Sequence, residues 1–148
     1  MSSGHVEYLK RAIEKSKESF HAGNFPAGGI VIKNGEELAS SISSPYPGLF
    51  HADSKAISQA FEKYGPLRDA ILYVGLEPCL MCQSVAYWAG IRDVYYAVPK
   101  AKVSGDYYES YKDTGELTAS FNEPIRMYHI AELENEALEV IRDWEKTL

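Results

Sequence analysis

The sequence predicts a single α/β domain over residues 1–148, a three-layer α/β/α sandwich around a central mixed five-stranded sheet. Three observations carry that expectation. Apolar spacing alternates between helical and strand periods in the order α-β-β-α-β-α-β-(loop/α)-β-α, and such alternation implies a sheet covered on both faces. Asn34-Gly35 between two apolar runs is a hairpin signal, so the first strand pair is antiparallel and the sheet mixed. The 148 residues, 45% apolar and 24% charged, suit one ordinary domain with a core and are too apolar for a disordered chain.

Each element has its own local reason. Val6, Leu9, Ile13 and Phe20 share one face of a first helix, which Gly23 ends. Ala27 to Ile32 reads as a buried strand and Leu38 to Ile42 as its hairpin partner, with a Pro/Gly-rich loop after it at Ser44–Gly48. From His51 the period is helical again: Ala52, Ala56, Ile57, Ala60, Phe61 and Tyr64 form a stripe that Gly65-Pro66 closes. Ala70 to Val74 is a short buried strand. Pro78 leads into a helix from Cys79 to Ala89, with Gly90 as its C-terminal cap. Val94 to Val98 is a strand, and residues 99–124 are mixed and Tyr-rich, with a short helix expected near Tyr107–Tyr111. Ile125 to Ile130 is the last strand. The final helix carries Leu133, Ala137, Val140, Ile141 and Trp144 on one face, its glutamates gathered toward the N-terminal half as the helix dipole favours.

Charge and composition narrow the function classes. Fifteen Lys and Arg against twenty-one Asp and Glu give a net charge of −6, and the basic residues are scattered. Binding to a nucleic-acid backbone relies on clustered cations, so a small, weakly charged partner is expected and nucleic acid is not. No apolar run approaches the roughly 20 residues that cross a bilayer, so no membrane partner is expected. The segment Met1-Ser2-Ser3-Gly4-His5 lacks the basic patch and apolar stretch of a secretory signal. Two cysteines three positions apart cannot build a disulfide framework, which points to a reducing, cytoplasmic setting.

The chemistry is concentrated in Pro78-Cys79-Leu80-Met81-Cys82. Its two thiols fall at i and i+3, on one side of a first helical turn, where free N–H groups and the helix dipole favour thiolates. The pair reads as a redox dithiol, as half of a metal site, or as two small buried hydrophobes. A third ligand separates these readings, and His51, at the start of the preceding helix, is the candidate. Cys₂His with an open fourth position is a catalytic zinc set, and Asp53 lies two residues on as a carboxylate able to carry protons. For both to face one metal, His51 must sit at the helix edge, because i and i+2 point apart within a helix.

His51-Ala52-Asp53 followed by Pro78-Cys79-Leu80-Met81-Cys82 resembles the zinc-dependent cytidine deaminase-like superfamily, whose signature is H-x-E…P-C-x-x-C. The order of elements resembles that family over nearly the whole chain. Glu77-Pro78-Cys79, Ala89-Gly90-Ile91-Arg92 and Phe25-Pro26-Ala27-Gly28-Gly29-Ile30-Val31 look most like its guanine deaminase and tRNA adenosine deaminase branch. Ser104-Gly105-Asp106-Tyr107-Tyr108 looks closer to the guanine deaminases. The resemblance implies Zn²⁺ held by His51, Cys79 and Cys82, with Asp53 passing a proton from the attacking water to a ring nitrogen and then to the leaving ammonia. It implies hydrolytic deamination of a free nucleobase, nucleoside or related aminated heterocycle, with guanine-type rings favoured, by a homodimer. It also implies that backbone at Gly28, Gly29 and Cys79 borders the base and that Phe25 or a tyrosine such as Tyr107 stacks on it, while Asp106 reads either as a contact to an amino-bearing ring or as a solvated loop acid.

Two departures bear on that reading. The family has Glu where this chain has Asp53, one methylene shorter. That pulls the carboxylate back by roughly 1.5 Å, and misplacement on this scale costs on the order of 10²-fold in rate. The family's base-binding Asn at the end of the second strand is absent from Ala39–Ser44, leaving Ser41 or Ser43 to make a shorter contact, and Pro47-Gly48-Leu49-Phe50 replaces the usual residues before the histidine. Two alternatives therefore stand beside the small-molecule enzyme: a tRNA adenosine deaminase, which the acidic charge disfavours, and a non-catalytic zinc-binding protein, which Asp53 motivates.

Overall fold

The computed structural model describes residues 2–148. Helix α1 (Ser2–His21) precedes the hairpin of β1 (Gly28–Lys33) and β2 (Glu36–Ile42). Asn34 and Gly35 both take positive φ, 52° and 78°, the turn geometry for which Asn-Gly is suited. Then come α2 (Ala52–Tyr64), β3 (Ile71–Leu76), α3 (Leu80–Ala89), β4 (Asp93–Val98), α4 (Gly115–Ala119), β5 (Arg126–His129) and α5 (Glu134–Glu145).

The five strands form one sheet in the order β2-β1-β3-β4-β5. Strand β1 runs antiparallel to both β2 and β3, while β3, β4 and β5 are mutually parallel, so the sheet is mixed. Successive strand residues point to opposite faces, and the two faces bury separate cores. Ile30, Ile32 and Tyr73 pack with Leu9, Ile13 and Ile141 of α1 and α5. Val31, Leu72 and Val74 pack with Ala56, Ile57 and Ala86 of α2 and α3. The expected three layers are therefore present. Among the described residues, no helix is long and apolar enough to cross a membrane.

Contact between the layers is close at one point. A Cβ on Gly28 would lie 2.4 Å from Lys15 Cβ and 2.6 Å from the Ala12 carbonyl oxygen, so α1 lies against β1 only because residue 28 has no side chain.

The structure departs from expectation mainly between β4 and β5. The short helix expected near Tyr107–Tyr111 is a single 3₁₀ turn at Gly105–Tyr107, and α4 lies further on. The reason is tertiary. Tyr108 Oη donates to the Glu77 carbonyl at 2.6 Å, and Glu109 reaches the start of α3, so this stretch follows its long-range contacts and not a helical period. Strand β3 also runs past Val74 to Leu76, which pairs with Val98.

Candidate active site

The starts of α2 and α3 meet, and each begins on a ligand-type residue. His51 is the N-cap of α2 (φ −83°, ψ 151°) and Cys79 the N-cap of α3 (φ −72°, ψ 171°), both in extended conformation. Because His51 stands outside the helical turn, its ring and the Asp53 side chain can serve one centre. Cys82, in the first turn of α3, completes the group.

His51 Nδ1 lies 3.5 Å from Cys79 Sγ and 3.6 Å from Cys82 Sγ. A tetrahedral zinc with Zn–S of about 2.3 Å and Zn–N of about 2.0–2.1 Å separates such donors by about 3.6 Å, so this set fits the ion. The ring is also oriented for it. His51 Nε2 is 3.0 Å from the Gly48 carbonyl, which can only accept, so Nε2 carries a proton and Nδ1, facing the thiols, is the nitrogen left for a metal once its own proton is lost. Gly48 belongs to the segment that departs from the family pattern, and it still supplies the contact that fixes the tautomer.

The electrostatics divide the two cysteines. A hydrogen bond from Cys82, helped by His51, brings Cys79 down to about 7 against the opposing effect of burial. Cys82 is pushed up by that same bond and by burial. Its hydrogen bond to Cys79 raises His51 to about 9, with the neighbouring charges of Cys79 and Asp53 adding. Asp53 is 8% exposed. Burial raises its pKa, opposed by Cys82, His51 and backbone donors, and its Oδ1 accepts from Ser54 N–H at 3.2 Å.

A cavity of about 340 Å³ opens in front of this group. Of the residues expected at the site, Phe25, Gly28, Ser43, His51, Asp53, Cys79, Asp106 and Tyr107 line it. Gly29 lies behind the wall: a Cβ there would come within 3.2 Å of Asp53 Cα, so the missing side chain lets β1 lie against the start of α2. Ser41 stands opposite Gly29 in the hairpin, its hydroxyl donating to the Ile42 carbonyl at 3.3 Å, and it does not reach the cavity. Ser43 does reach it, its backbone N–H tied to Ser19 Oγ at 3.1 Å. Phe25, Tyr46 and Tyr107 meet at 5.3–5.7 Å between centroids and make an aromatic side wall, backed by Trp144 of α5. Tyr46 Oη donates across to the Asp106 carbonyl at 3.2 Å, joining the two loops that border the cavity.

Glu109 is the cavity residue that sequence reasoning missed. Its Oε1 accepts from Leu80 N–H at 3.1 Å and its Oε2 from Met81 N–H at 2.9 Å, capping α3 beside the ligands. Burial alone would raise its pKa, but the Met81 and Leu80 N–H donors overcome that and hold it below the usual carboxylate range. One signal was available. Helix α3 starts on a cysteine with no acid in its first turn, so its N–H groups needed an acceptor from elsewhere.

Comparison with known proteins agrees with this geometry. The chain is 35% identical over 99 residues to the guanine deaminase of Bacillus subtilis, a match covering 63% of this chain and 64% of that protein, a little under two thirds of its length. It is 31% identical over 107 residues to the tRNA-specific adenosine deaminase of Aquifex aeolicus, covering 69% and 71%. The solved guanine deaminase of Nitrosomonas europaea shares the fold, with a TM-score of 0.78 at 20% identity over 94% of this chain and 83% of that one. The model of the cytidine and deoxycytidylate deaminase zinc-binding region matches residues 2–98, which contain His51, Cys79 and Cys82. The cofactor of the site is thus Zn²⁺, and the chain belongs to the cytidine and deoxycytidylate deaminase family.

Proposed function

We propose that the protein is a zinc-dependent deaminase that hydrolyses the exocyclic amine of a free nucleobase, nucleoside or related aminated heterocycle, guanine-type rings foremost. The observation that supports this most is the His51/Cys79/Cys82 donor set beside a buried acid, Asp53, in one cavity of heterocycle size. Bound by these ligands, zinc supplies the Lewis acidity that readies a water for attack near neutral pH. Asp53 takes one proton from that water and gives it to a ring nitrogen, then takes the second from the hydroxyl left on the ring carbon and gives it to the departing amine, so that ring amine and water become ring carbonyl and ammonia. Burial raises its proton affinity toward the range that suits a carrier. Phe25 and Tyr107 flank the ring, and backbone at Gly28 and Cys79 borders it.

The enzyme works in this reading as a cytoplasmic homodimer on a small molecule and not on nucleic acid. Two free thiols kept as metal ligands suit a reducing compartment. Trp88, 82% exposed on α3, shares a surface recess with Phe61 of α2 and with Arg68, Arg92 and Arg126, and gives the outer helical layer a mixed aromatic and charged face for a second copy.

The test is ammonia release from a panel of aminated bases, nucleosides and pterins by the zinc-loaded protein and by Asp53→Glu. At least one ring is expected to turn over, zinc chelation to abolish the reaction, and Asp53→Glu to raise the rate by about 10–10²-fold by restoring reach. Silence from both proteins across the panel overturns the reading and favours a zinc-binding protein without catalysis.

A further inference from the structure

Outside the zinc group, the side-chain charge of the cavity is one-sided. Asp53, Glu77, Asp106 and Glu109 line it, and among the described residues no lysine or arginine does. Lys100 is close in sequence to that wall but committed elsewhere: its ammonium donates to the Lys112 carbonyl and stands 5.0 Å from the centroid of the Tyr108 ring. Beyond the zinc group itself, no lysine or arginine is therefore available to a phosphate entering the site.

Backbone could supply the missing anion site, because the free N–H groups of a helix start bind phosphate well. Two helices begin at this cavity, and the chain's own carboxylates take N–H groups in the first turn of each. Glu109 takes the N–H groups of Leu80 and Met81 at α3. Asp53 takes that of Ser54 at α2. At the rim, Asp106 accepts the Tyr111 hydroxyl on its carboxylate and the Tyr46 hydroxyl on its carbonyl, which places a further acid where a ring substituent would leave the cavity.

We propose that this site, on the deaminase reading given above, admits a neutral or cationic aminated ring as free base or nucleoside and rejects its phosphorylated forms, mononucleotides and RNA alike, with Asp106 as a determinant of that selection. A phosphate brought to this wall meets like charges on side chains, and at the start of α3 the N–H groups of Leu80 and Met81 are already held by Glu109. Like-charge juxtaposition of this kind weakens binding by at least about a hundredfold.

Matched base, nucleoside and 5′-monophosphate sets of guanine, adenine and cytosine test the inference, with binding to the zinc-loaded protein measured by calorimetry beside ammonia release. In the set that is recognised, the base or nucleoside is expected to exceed the monophosphate at least about a hundredfold at about 50 mM salt. Raising the salt should narrow the gap by screening the repulsion. Asp106→Lys should narrow it about tenfold, read as the ratio of monophosphate to nucleoside affinity within the variant. A monophosphate or a short RNA bound as well as the nucleoside overturns the inference, as does a gap that salt leaves unchanged. Should Asp106→Lys fail to fold, the salt dependence of the unmodified protein decides. Absence of ammonia from every compound counts against the deaminase reading alone, since the binding order of nucleoside and monophosphate still judges the charge selection.

Discussion

At the scale of residues, two carboxylates of the cavity are tied to backbone N–H groups at helix starts. Asp53 accepts from Ser54 and lies against Cys82, so its shorter side chain is held to its own helix. Glu109 spends both oxygens on the first turn of α3. Removing that acceptor leaves two N–H groups without their partner beside the metal ligands. Glu109→Ala is therefore expected to lower stability by about 1–2 kcal/mol, with Glu109→Gln recovering part of it through its one carbonyl oxygen. Urea unfolding measures this, and an unchanged midpoint in Glu109→Ala would remove the capping role. The two residues also differ in legibility. Asp53 stood out because it lies two positions from His51. Glu109 acts on a helix start 28 to 29 positions earlier, and no local pattern announces a pairing across that distance.

At the scale of elements, the helices and strands with clear periods were legible, since apolar stripes and alternating strands have to face a core. The Asn-Gly turn was legible because its conformation belongs to the dipeptide. The stretch from residue 99 to 124 was not: around its 3₁₀ turn at Gly105–Tyr107 the path follows Tyr108 on Glu77, Glu109 on α3 and Tyr46 on Asp106. The ligands themselves lie where elements begin, at the N-caps of α2 and α3 and in the first turn of α3. Zinc held by these residues would therefore join two helices of one layer and leave the opposite layer untouched. Chelation is expected to speed amide hydrogen exchange at residues 51–56 and 79–84, with the amides of α1 and α5 little changed. Mass spectrometry of exchanged peptides reads this directly. Equal acceleration in all helices, or none at the two helix starts, would contradict it.

At the scale of the whole molecule, a net charge of −6 and an acidic cavity oppose polyanions, while the patch around Trp88 favours a neighbour. Sedimentation velocity is expected to show a dimer at micromolar concentration, shifted toward monomer by Trp88→Glu. A monomer in the unmodified protein would leave the patch without that role. The division into layers was legible from the order of elements, but the distance between them was not, because it is set by absent atoms. Gly28 lets α1 rest on one side of β1, and the neighbouring Gly29 lets the start of α2 rest on the other. Strand β1 is thus gripped from both sides at adjacent residues. Two hydrogens in place of side chains act as the spacer of the sandwich, and a methyl group at either position would push a helix outward. At residue 29 that displacement would be delivered to the backbone of Asp53, so the thickness of the domain and the reach of its acid are one mechanical quantity.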